Sequence, residues 1–394
     1  MSGFTLQGSS PKNIVALCAG SFERRIQYSL FSVWLLRGIG LLLLPVMRLT
    51  ARILLPACCI LMTACGKEPL YQEQGYVFGT LVEVSIYGDN EAHAKQAIVS
   101  VMHEFQRLHN ELHAWQPSEL SELNKAFARG ESRPVTPELA GMIEGATKLS
   151  IKSNGLFNSS IGNLIQLWGF QADEFKPVQP DERLIAQRVA TNPQMSDITL
   201  SLNSRGGILA KSSNTAVQLD LGGYAKGYAL DRAAILLKQQ GIHNALINIG
   251  GNILAIGQKG NRPWRVGIQH PRKSGALAAL DLHDGEAIGT SGDYQRYFLL
   301  GDKRYCHLID PRNGYPMQGV QAVTILTHGV NAGLLSDGSS KPLFVSAISG
   351  WRAAATKMGL NEAMLVDDQG VIHITGELKK RLEFTDKEVK LQVE

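Results

Sequence analysis

Cysteine is scarce in this chain of 394 residues, and it is concentrated at one end. Four of the five cysteines lie within the first 65 residues, so only Cys306 remains beyond them. A single thiol cannot form an intramolecular disulfide, which excludes a scaffold held together by disulfide bonds. The neighbours Tyr305 and Leu308 favour an ordinary strand position for Cys306 over a nucleophilic role.

Charged residues are also few, at 19%, while hydrophobic residues make up 44%, a composition too apolar for a disordered chain. The formal net charge of +4 belongs to one segment. Residues 1–64 contain six basic residues and one acidic residue, for a net charge of +5, so the other 330 residues carry −1. We therefore expect no broadly basic surface and no nucleic acid as a partner.

No apolar run is long and clean enough for a spanning helix, which needs about 20 residues. The run 28–46 is interrupted by Arg37, and the run Ile53–Met62 has the length of the apolar core of a signal peptide. The basic segment Met47–Arg52 precedes that second run, which makes Met47 a plausible start as well as Met1. An uncleaved anchor helix is the alternative interpretation.

The string Leu-Met-Thr-Ala-Cys that ends at Cys65 resembles a bacterial lipobox, in which the cysteine is diacylated and becomes the first residue. We therefore predict a signal segment over 1–64 with lipidation at Cys65, and a lipid-anchored tether over 65–75. The predicted location is periplasm-facing on a membrane of a Gram-negative cell. Gly66 after the cysteine favours the outer membrane, by the same resemblance.

The rest of the chain, 76–394, alternates strand and helix patterns, which predicts a single α+β domain with mixed, mainly antiparallel sheets. The expected helices are 91–113, 136–153, 226–240 and 331–358, the last interrupted near Pro342. The expected strands are 81–87, several within 198–222, then 244–256, 297–300, 304–309, 364–367 and 371–375.

One segment with a chemical implication is Asp220–Asp231, which reads DLGGYAKGYALD. Two glycines precede a predicted helix that begins near Lys226. Backbone N–H groups at a helix start bind anions, and glycine allows a phosphate to come close. The segment is neither GxGxxG nor a P-loop, so a Rossmann or NTPase site is not expected.

Two further motifs are TSGDY, which ends at Tyr294, and HLIDPRNGYP, which begins at His307. A histidine beside a phosphate can donate a hydrogen bond or act as a general acid or base. Asp310 and Asn313 have a simpler interpretation, because Asp-Pro and Asn-Gly pairs are common in turns.

These motifs, with SELSELN (118–124), LWGF (167–170) and NIGGN (248–252), occur in the order found in the ApbE family, which this sequence closely resembles from about residue 76 to its end. The resemblance implies an FAD:protein FMN transferase, which moves FMN from FAD to a Thr or Ser hydroxyl and releases AMP. It also implies Mg²⁺, and target flavoprotein subunits of membrane redox complexes as partners. An FAD pyrophosphatase that yields FMN and AMP, or a non-catalytic flavin-binding lipoprotein, are the alternatives.

The resemblance also assigns roles to residues of this chain. It implies catalytic roles for His307 and Asp310. It implies a metal site formed by the carbonyl of Gly223 with Asp337 and Ser340. It implies a cofactor site formed by Phe78, Trp115, Leu156, Phe157, Asn158, Asp220, Lys226, His307 and Leu308. Without the resemblance, Trp115 would be read as a core residue after an amphipathic helix.

The sequence departs from the family at Asn158, where an aspartate is usual, and at Lys341, where the family has a threonine metal ligand. A lysine ammonium cannot coordinate Mg²⁺ and repels it. Either Lys341 replaces part of the metal's charge, or a local shift makes Ser339 or Ser340 the ligand and turns Lys341 elsewhere. We predict a weaker dependence on Mg²⁺ than is usual for the family.

Overall fold

A nine-stranded sheet runs through the protein. The computed structural model describes residues 68–172, 174 and 176–394. In the main sheet the strand order is β1-β2-β6-β7-β10-β13-β14-β15-β17, and among these described strands all neighbours are antiparallel except β15 and β17. Its strands are β1 Leu70–Val77, β2 Thr80–Tyr87, β6 Ala245–Ile249, β7 Asn252–Ile256, β10 Glu286–Gly292, β13 Val320–His328, β14 Ala363–Asp367, β15 Ile372–Ile374 and β17 Leu391–Val393.

Three small sheets and a set of helices surround the main sheet. The small sheets have the orders β3-β5-β4, β16-β9-β8 and β11-β12. Their strands are β3 Arg133–Val135, β4 Ile198–Leu202, β5 Ile208–Ser212, β8 Trp264–Gln269, β9 Ala276–Leu282, β11 Tyr297–Leu300, β12 Lys303–Cys306 and β16 Glu383–Phe384. The helices are α1 Glu91–Glu111, α2 Glu119–Ala128, α3 Pro137–Lys152, α4 Gly162–Leu167, α5 Glu182–Ala190, α6 Gly222–Gln239, α7 Ala332–Val345, α8 Ala347–Met358 and α9 Gly376–Arg381.

The main sheet separates two hydrophobic cores. On one face, Leu254 and Ile256 of β7 pack with α1 and α6. On the other face, Ile253 and Ala255 of the same strand pack with β8, β9 and α9. Successive side chains of a strand point to opposite faces, so one strand supplies both cores. The predicted α+β domain with mainly antiparallel sheets is confirmed, and the described chain from Glu68 to Glu394 forms one compact unit.

The strongest helix and strand patterns agree with the structure. Asn90 caps α1 by accepting a hydrogen bond from the N–H of His93 at 2.9 Å, and Thr136 caps α3 with Pro137 at its first position. Both are common helix starts. The hairpins β11–β12 and β14–β15 also form where predicted.

Three predicted boundaries were wrong. Helix α6 begins at Gly222 rather than near Lys226, so the glycine pair forms its first turn. The expected strand 244–256 is a hairpin, β6–β7, that turns at Gly250-Gly251, where both residues have positive φ. The interruption after α7 falls at Ser346, while Pro342 lies inside the helix.

The N-terminal predictions lie mostly outside the described residues. These are the signal segment, the start at Met47 and the lipidation of Cys65. Strand β1 begins at Leu70, so residues 70–75, expected as tether, form part of the sheet, where Gly75 pairs with Val82. Within the described ranges, the structure contains no helix with the length and apolarity that a membrane crossing requires.

Candidate active site

The start of α6 joins an aromatic side chain to an acid. The Asp220 carboxylate accepts a hydrogen bond from the Gly222 N–H at 2.8 Å through Oδ1, and one from the Trp115 indole Nε1–H at 3.2 Å through Oδ2. Asp220 thereby caps the first turn of α6 and orients the Trp115 ring. A cleft of about 370 Å³ lies against that ring.

A neutral side chain from another helix fixes the backbone just before this turn. Buried Asn124, at the end of SELSELN, donates from Nδ2 to the Leu219 carbonyl at 2.9 Å and accepts the Leu219 N–H at 2.7 Å. Sequence reasoning did not assign Asn124 this role. The motif around it was the available signal, but the partner lies 95 residues away along the chain.

An ion cluster surrounds Asp337 of α7, next to the first two turns of α6. Asp337 is completely buried. Its Oδ2 accepts the Gly227 N–H at 2.9 Å, and Lys226 Nζ lies 3.7 Å from its Oδ1. Lys341, one helical turn further along α7, donates to Asp337 Oδ1 and to its main-chain carbonyl oxygen, the latter at 2.8 Å. The structure therefore brings both lysines onto one carboxylate.

Burial and the neighbouring charges shift the pKa values of Asp337 and Lys341. Burial alone would raise the pKa of Asp337, but Lys226 and Lys341 outweigh it and hold the pKa below its usual range. Burial lowers the pKa of Lys341 to about 8, with Asp337 opposing the shift and Lys226 adding to it. At pH 7 Asp337 is thus a carboxylate and Lys341 is mostly an ammonium group.

Two further contacts fix α7 against its neighbours. Asp231, the last residue of the DLGGYAKGYALD motif, accepts the N–H groups of Gly333 and Leu334, both at 2.8 Å, and so caps the start of α7. Ser291 of TSGDY bonds to Ser340 between their hydroxyl oxygens at 2.7 Å. Sequence reasoning placed neither Asp231 nor Ser291 in a positioning role.

The face of α6 beside the ion cluster is open because it carries glycine. A β-carbon added at Gly223 would lie 3.7 Å from Lys341 Cε and 3.8 Å from the Phe157 ring. Gly223, Phe157 and Lys341 are therefore neighbours. The Phe157 ring also packs against Tyr224, with centroids 6.2 Å apart.

His307 lies near the same cations and is a neutral base. Burial, together with Arg296, Lys226 and Lys341, lowers the pKa of His307 to about 3. Its Nδ1 lies 3.2 Å from the Arg296 carbonyl oxygen, which can only accept, so Nδ1 carries the ring proton. Nε2 therefore keeps its lone pair, and at neutral pH His307 is an uncharged acceptor of a hydrogen bond.

Three of the predicted site residues, Asp310, Asn158 and Leu308, contact other parts of the protein itself. Asp310 accepts bonds from the Arg312 guanidinium at 2.7 to 3.2 Å and from the Arg312 N–H, contacts that fit the turn interpretation. The Asn158 amide bonds to the Pro193 carbonyl and to Ser160. Leu308 is buried in the core.

The remaining predicted residues, Phe78 and Leu156, lie in different surroundings. Phe78, at the tip of the β1–β2 hairpin, contacts the His109 ring with centroids 5.8 Å apart, and His109 contacts His113 at 5.4 Å. His113 Nδ1 accepts the Trp115 N–H, so this chain of rings leads back to Trp115. Leu156 lines a separate cavity of about 200 Å³.

Cys306 ends β12 and is buried, as its neighbours in sequence predicted. Burial raises the pKa of the Cys306 thiol to about 12, so the thiolate nucleophile is not available at neutral pH.

The predicted metal ligands do not fit a divalent ion. Both carboxylate oxygens of Asp337 are engaged, by Lys341 and by the Gly227 N–H. The Ser340 hydroxyl is engaged by Ser291 and by the Asp337 carbonyl at 2.6 Å. Across the described residues, no three His, Cys, Asp or Glu side chains come together as metal ligands would.

Fold and site together define an α+β protein with a buried cationic site at a helix start, a combination suited to a phosphate or pyrophosphate group. The model of the ApbE family matches residues 78–365, and the chain belongs to that family.

Curated relatives and solved structures agree with this assignment. The chain is 41% identical to an FAD:protein FMN transferase of Rhodobacter capsulatus over 81% of its own length and 59% of that protein's length. It is 29% identical to one of Klebsiella pneumoniae, over 80% of this chain and 92% of the relative. The ApbE protein of Thermotoga maritima matches with a TM-score of 0.71 at 26% identity, covering 79% of this chain and 99% of the other. The apo flavinyl transferase ApbE of Pseudomonas stutzeri matches at 0.68 and 26%, covering 81% and 98%.

Proposed function

We propose that this chain is an FAD:protein FMN transferase, which moves FMN from FAD onto a Thr or Ser hydroxyl of a target flavoprotein and releases AMP. The observation that carries the proposal is the pair of ammonium groups, Lys226 of α6 and Lys341 of α7, which meet at Asp337 next to the first turn of α6. Phosphoryl transfer depends on positioning and on neutralising negative charge. The names of the relatives support the same reaction.

Each side chain of the site has a role in this proposal. Trp115 packs on the flavin ring, with Phe157 beside it, and Asp220 orients Trp115. Lys226 binds the phosphate groups next to the first turn of α6, where its Nζ also lies 3.3 Å from the Gly222 carbonyl.

The reaction needs no reactant beyond FAD and the hydroxyl group of the target protein. The target's hydroxyl oxygen attacks the FMN phosphorus, and the bond from that phosphorus to the bridging oxygen breaks. The hydroxyl proton passes to Nε2 of His307, the ring nitrogen that carries no proton, and from there to water, because a ring with a pKa of about 3 does not keep it. AMP departs with the negative charge, which the lysines neutralise. Subunits of membrane redox complexes are the proposed targets.

The test incubates the full-length protein in detergent with FAD and an acceptor flavoprotein domain. Flavin fluorescence on the acceptor in a denaturing gel supports transfer, and an acceptor whose threonine is changed to alanine is the matched control. Free FMN and AMP with an unlabelled acceptor would show hydrolysis instead. Unchanged FAD would show binding alone, and either result contradicts the proposal.

A variant of His307 tests the assigned base. We expect His307→Asn to lower the rate of transfer about 10²-fold, the lower end of what a general base contributes, while FAD affinity changes little. Affinity is measured by quenching of flavin fluorescence. An unchanged rate would remove His307 from the chemistry.

We also infer that the protein is a periplasm-facing lipoprotein held to the membrane by acylated Cys65. The support is the sequence alone: the basic segment Met47–Arg52, the apolar run Ile53–Met62 and the lipobox-like string that ends at Cys65.

A further inference from the structure

The predicted metal position carries a lysine that faces inward. Asp337 and Lys341 are four residues apart on α7 and so share one face of the helix. The side chain of Lys341 is only 12% exposed and that of Asp337 is not exposed at all. The alternative in which Lys341 turns away from the site is therefore excluded.

The contacts of Lys341 are those a metal ion would need. Its Nζ bonds to Asp337 Oδ1 and, at 2.8 Å, to the Asp337 carbonyl oxygen. The alternative ligand, Ser340, points to Ser291. A cation at this point would have to displace an ammonium group that is already paired with the buried carboxylate.

A second ammonium group, that of Lys226, adds to the positive charge beside Asp337. Lys226 Nζ lies 3.7 Å from the same Asp337 oxygen, so two positive charges share one negative charge and leave a net charge of +1. The Lys341 stem reaches to within van der Waals distance of the position that a Gly223 β-carbon would take, beside Phe157. The positive charge is thus at the part of α6 assigned to the phosphate groups.

We propose that Lys341 is a built-in cation that takes the place of a divalent metal ion, so that this chain binds FAD and transfers FMN without Mg²⁺. The proposal rests on the transferase function above. When the bond from the FMN phosphorus to the bridging oxygen breaks, that oxygen leaves with AMP and gains a negative charge. The ammonium groups of Lys341 and Lys226 neutralise it by donating hydrogen bonds, and no metal ligand has to be supplied.

The first test needs no variant. The full-length protein in detergent is mixed with FAD and titrated with Mn²⁺, and bound Mn²⁺ is measured by the loss of its free paramagnetic resonance signal, with free FAD as the blank. We expect no binding above the blank. We also expect FAD affinity and the initial rate of FMN transfer to stay within twofold when a chelator is added. A rate that disappears with chelator and returns with Mg²⁺ overturns the proposal.

Two substitutions at the same position separate charge from ligation. Lys341→Thr restores a metal-ligating hydroxyl, and we expect it to bind Mn²⁺ and to lose at least tenfold in rate when chelated. Lys341→Met supplies neither charge nor ligand, and we expect at least a tenfold loss with or without Mg²⁺. A Lys341→Met protein that folds, as shown by its circular dichroism, and keeps the wild-type rate overturns the proposal.

The controls distinguish this proposal from the function on which it rests. Lys238→Thr changes an exposed lysine on α6 and should behave like the wild type in every measurement. If no preparation transfers FMN but FAD binds regardless of chelator and Mn²⁺ does not bind, the transferase function fails while the metal-free site stands. If transfer occurs only with Mg²⁺, the function stands and Lys341 as the built-in cation fails.

Discussion

Asn124 shows how one neutral side chain can position a site on another element. Its amide pairs with both backbone groups of Leu219, so the next residue, Asp220, starts from a fixed backbone. Asp220 then caps α6 and holds Trp115. A charged side chain at position 124 would have to be desolvated there, whereas an amide matches an N–H and a carbonyl at once.

We predict that Asn124→Ala destabilises the protein and weakens FAD binding. Two buried backbone groups of Leu219 lose their partner, which costs about 1–3 kcal/mol each if water does not replace it. Urea unfolding and a fluorescence titration with FAD measure the two effects. Asn110→Ala, at an exposed position of α1, is the matched control. Unchanged FAD affinity in a folded Asn124→Ala protein would contradict the positioning role.

Helices α6 and α7 cross where each has a glycine. A β-carbon on Gly227 would lie 2.3 Å from the Gly333 carbonyl oxygen, and one on Gly333 would lie 2.7 Å from the Gly227 carbonyl oxygen. This close approach is what brings the Gly227 N–H to within 2.9 Å of Asp337. The helix crossing therefore assembles the ion cluster.

Gly227→Ala and Gly141→Ala should have opposite effects. A methyl group at Gly227 forces the helices apart, and we expect a loss of about 1–3 kcal/mol or more in unfolding free energy. Gly141 lies within α3 with nothing within 4 Å of its β-carbon position, so alanine there should gain about 0.5–1 kcal/mol. Urea unfolding of both variants checks the pair. Equal changes in unfolding free energy for the two variants would mean that the close approach of α6 and α7 does not affect stability.

The cap of α7 should make stability depend on pH. Burial raises the pKa of Asp231 to about 6, although its bonds to Leu334 and Gly333 oppose the shift. The folded state therefore binds this proton more tightly than the unfolded chain does. The resulting stabilisation is fully present below pH 3.8 and is lost as the pH rises through about 6.

Asp231→Asn removes this titration. The unfolding free energy of the wild type, relative to Asp231→Asn, should fall by at most about 3 kcal/mol between pH 4 and 6 and then level off. Urea unfolding across pH 4–7 measures the difference. A difference that rises with pH would mean that the hydrogen bonds of Gly333 and Leu334 outweigh burial and that the pKa is lowered.

The charge of the whole chain is divided unequally between residues 1–64 and the rest. The +5 of residues 1–64 accounts for the basic balance, while the body beyond them carries −1. Positive charge is instead concentrated locally, by Lys226 and Lys341 around Asp337. A basic segment followed by an apolar run is typical of a signal peptide, and a local pair of cations suits a single anionic ligand.

We predict that lipid is attached at Cys65. Expressed in a Gram-negative host with radiolabelled palmitate, the wild type should take up label and Cys65→Ser should take up none. Cys59→Ser, six residues earlier, is the control and should be labelled like the wild type. Label on Cys65→Ser, or none on the wild type, would contradict the lipoprotein proposal.

The sequence by itself determined the family, the fold class and most helices and strands. Those patterns are local: the cap at Thr136, the apolar spacing of 91–113 and the ordered motifs can be read without knowing what they contact. It also identified Lys341 as unusual, since the family it resembles has a threonine metal ligand at that position.

Only the tertiary structure decided what several of those residues do. Asp337 meets Gly227 across 110 residues and Asn124 meets Leu219 across 95, and no spacing along the chain encodes such distances. The direction of Lys341 depended on a buried carboxylate that had to be paired, because an unpaired buried charge is costly. The helix crossing placed that carboxylate between two lysines, and the pairing turned Lys341 inward.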